Sequence, residues 1–244
     1  MWPKEDSWNT HPSGFYYKGR WQNVRCKITT NLPIPRYKRC FANRQLLLIG
    51  DSNVRIIGTR IINEMEFRLL KGNATSSIPQ DVLAYEKSNN ITLSMFPHQL
   101  PYYAHRSVDK TVFVSAAKRL DDIPAGDNRI ILIHLWLHML RSSVDTFRYH
   151  VRHIRQAIER LIQRSPNVHI SIKGPHAYNY KDQLPVDYMA SQHIRIWWEE
   201  FVDLHDKVIF LNEWDRTVGN ENSNAHPNCA IDLISNFLAH VCDP

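Results

Sequence analysis

The sequence predicts an α/β fold, a three-layer sandwich in which a mainly parallel five-stranded sheet is covered by helices on both faces. Three observations carry that prediction. Short, continuous apolar runs recur along the chain at residues 45–49, 91–96, 129–137, 168–173 and 207–211, as strands buried on both faces should read. Segments with apolar residues spaced by three and four lie between them, and strands alternating with helices build parallel sheets. The composition (43% hydrophobic, 22% charged) is that of a folded protein with a substantial core.

Each element has its own local reason. Gln45-Leu46-Leu47-Leu48-Ile49 is the cleanest strand and ends at Gly50. A helical pattern follows over residues 54–70. The longest amphipathic segment covers residues 144–164, where Val144, Phe147, Val151, Ile154, Ile158 and Leu161 share one face and Pro166 follows the end. Further helices are expected over residues 186–202, with Ile194, Trp197, Trp198 and Phe201, and from about Asn228, with Ile231, Ile234, Phe237 and Leu238. Residues 1–44 carry prolines at 3, 12, 33 and 35 and little periodicity, so they read as an irregular segment wrapping the core. Residues 45–244 show no internal repeat and no Gly/Ser-rich linker, and read as one domain.

Charge and cysteine usage restrict the functional classes. The formal net charge is +6, and Arg148, Arg152, Arg155, Arg160 and Arg164 crowd one helix. A nucleic-acid surface would use such charges, but no nucleic-acid motif accompanies them, so a solvated helix face is the expectation and no nucleic-acid partner is expected. No apolar run reaches the roughly 18 residues of a membrane helix. Cys26, Cys40, Cys229 and Cys242 form no CxxC pair, which argues against a zinc site and leaves three disulfide pairings open. Sequons at Asn73-Ala74-Thr75 and Asn90-Ile91-Thr92 fit a secreted or secretory-lumen glycoprotein with disulfide bonds. The N-terminus lacks the apolar core of a signal peptide, so the chain is expected to be a fragment or shortened form of a longer secreted protein.

The chemistry is expected beyond the carboxyl ends of the strands. There the sequence reads Gly50-Asp51-Ser52-Asn53, which sets the Ser52 hydroxyl in a strand-to-helix turn facing the N–H groups of the helix's first turn. A serine hydroxyl is a poor nucleophile until a base takes its proton. Asn224-Ala225-His226-Pro227, before the last helix, offers His226 for that task. The bland alternatives are a helix N-cap for Ser52 and an ordinary loop histidine for His226.

These two elements resemble the GDS and C-terminal His signatures of SGNH/GDSL-like hydrolases, in their PC-esterase branch. Ser13-Gly14-Phe15-Tyr16-Tyr17 with Trp21, Cys26 and Cys40, then LLLIGDSNVR, is similar to the C-terminal domain of the NXPE (neurexophilin and PC-esterase) family. So are Ile154-Arg155-Gln156-Ala157-Ile158, Arg164-Ser165-Pro166, Trp214-Asp215-Arg216-Thr217, Asn224-Ala225-His226-Pro227 and the run from Asn236 to Cys242. The resemblance implies an SGNH-hydrolase-like, flavodoxin-like topology and passage through the secretory pathway. It also implies esterase or O-acyltransferase chemistry on acyl esters of cell-surface or secreted glycans. No metal or organic cofactor is implied beyond an acyl donor for a transferase.

Two departures matter. The usual triad aspartate, three residues before the histidine, is here Ser223, so Asp215 becomes the candidate acid, with bracing of its own loop as the alternative role. Where relatives carry a Gly-Gln-His-like run, this chain reads Trp136-Leu137-His138. His138 remains a candidate oxyanion or substrate contact alongside Gly50, Asp51 and Asn53. Losing one oxyanion donor typically costs about 100–1000-fold in rate. The runner-up is therefore a catalytically weak or inactive domain that binds glycans or an extracellular protein, with Trp136 as an exposed stacking platform.

Overall fold

The structure, a computed structural model, describes residues 3–9, 12–24, 33–103, 107–178, 186–227, 237 and 241–242. The elements in chain order are α1 (Asp6–Asn9), β1 (Gly14–Tyr17), β2 (Arg20–Asn23), α2 (Ile34–Cys40), β3 (Gln45–Gly50), α3 (Ser52–Glu64), β4 (Arg68–Lys71), β5 (Val82–Glu86), β6 (Ile91–Pro97) and α4 (Ala116–Asp121). They continue with β7 (Ile130–His134), α5 (Val144–Arg164), β8 (His169–Lys173), α6 (Val186–Glu200), β9 (Val208–Leu211) and α7 (Trp214–Gly219).

The main sheet among the described residues has seven strands in the order β4-β5-β6-β3-β7-β8-β9. The five strands expected from the apolar runs are neighbours within it. Taken by themselves they follow the order 2-1-3-4-5, the flavodoxin-like arrangement. Strand β3 pairs in parallel with both β6 and β7, with Ile49 opposite Phe96 on one side and Ile133 on the other. The order therefore reverses at β3, and its carboxyl end stands at the topological switch point.

The two extra strands correct the five-strand expectation. β4 and β5 run antiparallel, β5 against β6 and β4 against β5. The helix expected to reach residue 70 ends at Glu64, because Glu66 takes a left-handed φ of 60° that no α-helix tolerates. Arg68–Lys71 then serves as an edge strand, exposed along its whole length.

The chain forms two compact, discontinuous units. The serine-bearing unit comprises Leu32–His134 and Arg152–Ile170; the histidine-bearing unit comprises Met1–Asn31, Leu135–Val151 and Ser171–Pro244. In the first, Leu46, Leu48, Ile49, Leu93, Ile131, Leu132 and Ile133 are fully buried, and α3 packs over β3 and β6. In the second, residues expected to be irregular fold into a hairpin. Tyr17 pairs with Arg20, so Lys18-Gly19 is a two-residue loop, and positive φ at both residues gives it the twist that suits paired strands. Short α1 lies along β9, where Trp8 Nε1 donates to Val208 O (2.8 Å) and Phe210 N donates to Ser7 Oγ (2.9 Å).

Helix α5 has the predicted bounds, with Phe147, Val151, Ile154, Ile158 and Leu161 buried. Its arginines are occupied by the protein. Arg148 bridges Glu199 and Glu200, Arg155 pairs with Glu159, Arg160 grips Asp121, and Arg164 caps the carbonyls of Leu120 and Ile123. Cys40 and Cys242 are disulfide-bonded. Cys26, Cys229 and most of the helix expected from Asn228 lie outside the described residues. No helix among the described residues is long and apolar enough to cross a membrane.

Candidate active site

The serine turn is built by its neighbours. Gly50 closes β3 where no side chain fits: a Cβ there would collide with Val54 Cγ2 and lie 3.1 Å from His134 O. Gly50 O accepts from His98 N at 3.0 Å, extending the β3–β6 pairing by one step. Asp51 is the N-cap of α3. Its φ and ψ are extended, and Oδ1 accepts from Asn53 N at 2.8 Å, satisfying one of the helix's leading N–H groups. Ser52 follows as the first helical residue and is half-buried. The N-cap expected as the bland reading of Ser52 is thus supplied by Asp51, which leaves the serine hydroxyl outside that role.

Around this turn the carboxyl ends of β6 and β7 contribute residues that the sequence reading did not single out as functional. His134, the last residue of β7, is fully buried, and its Nε2 lies 3.7 Å from Asp51 Oδ2. His98, immediately after β6, is also fully buried. Its Nδ1 lies 2.7 Å from Gln99 O, and since a carbonyl only accepts, Nδ1 carries the proton. Tyr102 packs against His98 and Phe113, each at 4.8 Å between ring centres. Burial pushes the Tyr102 hydroxyl pKa up; the Asp51 charge adds to the rise and Arg55 opposes it. The signal that could have found His98 and His134 was positional: one lies just past the run at 91–96 and the other towards the end of the run at 129–137, near the sheet's switch point. Asn53 is buried, and its Nδ2 has no hydrogen-bond partner among the described residues.

The other predicted residues belong to the histidine-bearing unit, where the segments after β7, β8 and β9 are tied together. Trp136 Nε1 donates to His176 O at 3.0 Å, and His176 Nε2 donates to Ala225 O at 3.1 Å. Ala177 N donates to Thr217 Oγ1 at 2.7 Å, while Asn222 Nδ2 reaches both Ala177 O (2.6 Å) and Asn224 O (2.8 Å). These bonds hold the 222–225 loop, and His226, next in the chain, is exposed. Beneath it, Lys173 is almost wholly buried, with Nζ 3.4 Å from Gly174 O and 3.5 Å from His176 Nδ1.

Asp215 sits in the first turn of α7. Its Oδ2 accepts from Ser13 N (2.7 Å) and from Asn212 Nδ2 (3.1 Å), so it braces the N-terminal segment and its own loop. His138 is half-buried in a single 3-10 turn, Leu137–Met139, beyond the end of β7.

Trp136 corrects the expectation of an exposed platform. The strand ends at His134, short of the expected Leu137, and the indole of Trp136 is fully buried against Val186 and Ala190 of α6. Its single N–H is satisfied by His176 O, so both the apolar body and the polar tip favour the interior. This position is core.

A 2-1-3-4-5 sheet with a capped strand-to-helix turn at its switch point defines an α/β domain of flavodoxin-like topology. The chain matches the family model described as "NXPE family member 4-like, C-terminal domain" over residues 21–242 and belongs to the NXPE family. Among solved structures it is similar to a family two carbohydrate esterase from Clostridium thermocellum in complex with cellohexaose (16% identity, TM-score 0.37, covering 82% of this chain and 63% of that one). It is also similar to a family 2 carbohydrate esterase with a carbohydrate-binding domain from Myceliophthora fergusii (10% identity, TM-score 0.40, covering 93% and 70%). The chain spans less than two thirds of the length of the Clostridium enzyme.

Proposed function

We propose that the chain is an esterase or O-acyltransferase acting on acyl esters of cell-surface or secreted glycans. The observation that carries this reading is the placement of Ser52 as the first residue of α3 at the carboxyl end of β3, where the strand order reverses. In the proposed reaction Ser52 Oγ attacks the acyl carbonyl and His226 takes the hydroxyl proton. His226 then returns a proton to the leaving alcohol, and in the second half-reaction activates water or an acceptor hydroxyl. Asp215 would orient the imidazole and stabilise the imidazolium. The first-turn N–H groups of α3, aided by Asn53 Nδ2 and by His138, would receive the negative charge that develops on the carbonyl oxygen. Gly50 and Asp51 set the turn's geometry and take no part in bond-making.

The disulfide-bonded Cys40 and Cys242 and the exposed sequon at Asn73 favour a secretory compartment. The pairing of the α5 arginines with acidic side chains and carbonyls speaks against nucleic acid as the partner.

The test is release or transfer of acetyl from acetylated sialic acids or mucin glycans by wild type, Ser52→Ala and His226→Ala, together with labelling by a fluorophosphonate probe. Wild type should turn over and label, and both variants should lose activity, with labelling absent in Ser52→Ala. Equal turnover in all three ends the proposal.

A further inference from the structure

The histidine-bearing unit carries a second concave surface, formed by α1, α6 and the start of α7. It is a cavity of about 680 Å³, within the range of small-molecule sites. Its composition is unusual for a surface groove: three tryptophans, Trp8, Trp198 and Trp214, share it with Asp187, Ser191 and Arg195. The last three are spaced by four along α6, so they form one polar row on a single helix face.

Trp198 is the side chain that makes this a site. It is 41% exposed, against none for Trp136 and Trp197. Exposure of so large an apolar surface normally comes with mobility, yet this indole is fixed. Its Nε1 donates to Asn9 Oδ1 at 3.1 Å, and its ring meets His205 edge-on at 5.5 Å. His205 Nε2 in turn bonds the Trp198 carbonyl at 3.1 Å. With its only donor already used, the indole can offer a ligand nothing but its π face. Trp8, buried and stacked on His205, Phe201 and Phe210, makes the groove's floor rigid.

The polar row supplies the other half of recognition. Asp187 makes no hydrogen bond or ion pair with another described residue, so its carboxylate accepts. Ser191 donates to Tyr188 O at 2.7 Å and retains its acceptor lone pairs. Arg195 gives Nε to Glu199 Oε1 at 2.6 Å, and its terminal nitrogens have no partner among the described residues. One carboxylate and one guanidinium leave the wall without net charge, which gives a phosphate or polyanion no preference for it. An apolar peptide or lipid would bury the Asp187 carboxylate unpaired and strip water from the Arg195–Glu199 pair, at a cost of several kcal/mol. The chemistry that fits has an apolar C–H face for the indole and hydroxyls on its rim that both donate and accept.

We infer that this groove binds a neutral hexose or N-acetylhexosamine oligosaccharide, with Trp198 stacking on a pyranose face and the Asp187–Ser191–Arg195 row bonding its hydroxyls. Binding here is independent of the acyl chemistry proposed for Ser52. The experiment titrates a panel of neutral oligosaccharides (cello-, chito- and lacto-series) into the full chain carrying Ser52→Ala, followed by calorimetry and tryptophan fluorescence. A member of the panel should bind and shift the fluorescence. Adding Trp198→Ala should weaken binding by about tenfold or more, equivalent to about 1.4 kcal/mol, while Trp198→Phe, which keeps a ring, should fall between. Turnover of a small sugar-free acetyl ester should be the same with and without Trp198→Ala in the otherwise wild-type chain. The inference is overturned if no oligosaccharide of the panel binds, or if Trp198→Ala binds as tightly as its parent.

Discussion

His193 should make the histidine-bearing unit acid-sensitive through one identifiable ring. It lies on α6, fully buried, stacked on Phe147 at 3.6 Å with 8° between the rings and met edge-on by Trp136 at 5.4 Å. Neither ring nitrogen has a hydrogen-bond partner among the described residues. Burial alone pushes its pKa down from 6.5 to about 3, so it stays neutral in the fold. Between those two values the unfolded chain binds a proton that the folded chain refuses. The stabilisation is therefore complete above pH 6.5 and is lost as the pH falls towards 3. At about 1.4 kcal/mol per pKa unit, the step from pH 7 to pH 5 removes about 2 kcal/mol. Urea unfolding followed by tryptophan fluorescence, at pH 7 and pH 5, measures this in wild type and in His193→Leu. The wild type should lose about 2 kcal/mol more than the variant across that step. Equal losses in the two proteins would show that the ring does not carry the effect. The functional consequence is local: Trp136 precedes the turn that holds His138, so acid should loosen that segment first.

Gly50→Ala should damage the serine turn directly. The new methyl meets Val54 on the rigid first turn of α3 and the backbone carbonyl of His134, so neither obstacle is the free end of a flexible side chain. Overpacking of this kind costs about 1–3 kcal/mol, and both the unfolding midpoint and fluorophosphonate labelling of Ser52 should fall; a variant unchanged in both would refute the close-approach argument. Reduction with dithiothreitol, or Cys40→Ser, should destabilise the fold by about 2–5 kcal/mol, as for native disulfides of secreted domains; a melting temperature unaffected by reductant would count against it.

The centre of the main sheet was legible because its strands are runs of apolar residues buried on both faces, as at Leu46–Ile49 and Ile130–Ile133. The two added strands were not. β4 is exposed throughout, so burial left no imprint on its sequence, and 67–70 (Phe-Arg-Leu-Leu) suits the end of a helix as well as the start of a strand. The break at Glu66 depends on a left-handed backbone that neither glycine nor proline announces. The N-terminal hairpin, by contrast, did leave a sign: Lys18-Gly19 between Gly14-Phe15-Tyr16-Tyr17 and Arg20-Trp21-Gln22-Asn23 has the length and glycine of a tight turn.

The same contrast holds at the site. Asp51 and Ser52 could be placed because a strand-to-helix turn is a local pattern. His98 and His134 come to that turn through parallel pairing over 48 and 84 positions of sequence (98 minus 50 and 134 minus 50), which a pattern search along the chain does not see. Trp136 failed for a related reason. Its neighbours in space, Val186, Ala190 and His176, are distant in sequence, and an aromatic beside a presumed cleft looks the same whether it faces out or in.

The contacts of Ser7 and Trp8 bear on how the edge of the sheet is covered as well as on how the chain folds. β9 is the terminal strand of the seven, and such a strand ordinarily offers its unpaired amides and carbonyls as a template on which a foreign strand can grow. Here Ser7 Oγ takes the Phe210 amide and Trp8 takes the Val208 carbonyl, so two side chains from a four-residue helix do the work of an eighth strand. The opposite margin, β4, is defended differently, by the charges of Arg68 and Lys71. One border is plugged and the other is made repellent to self-association.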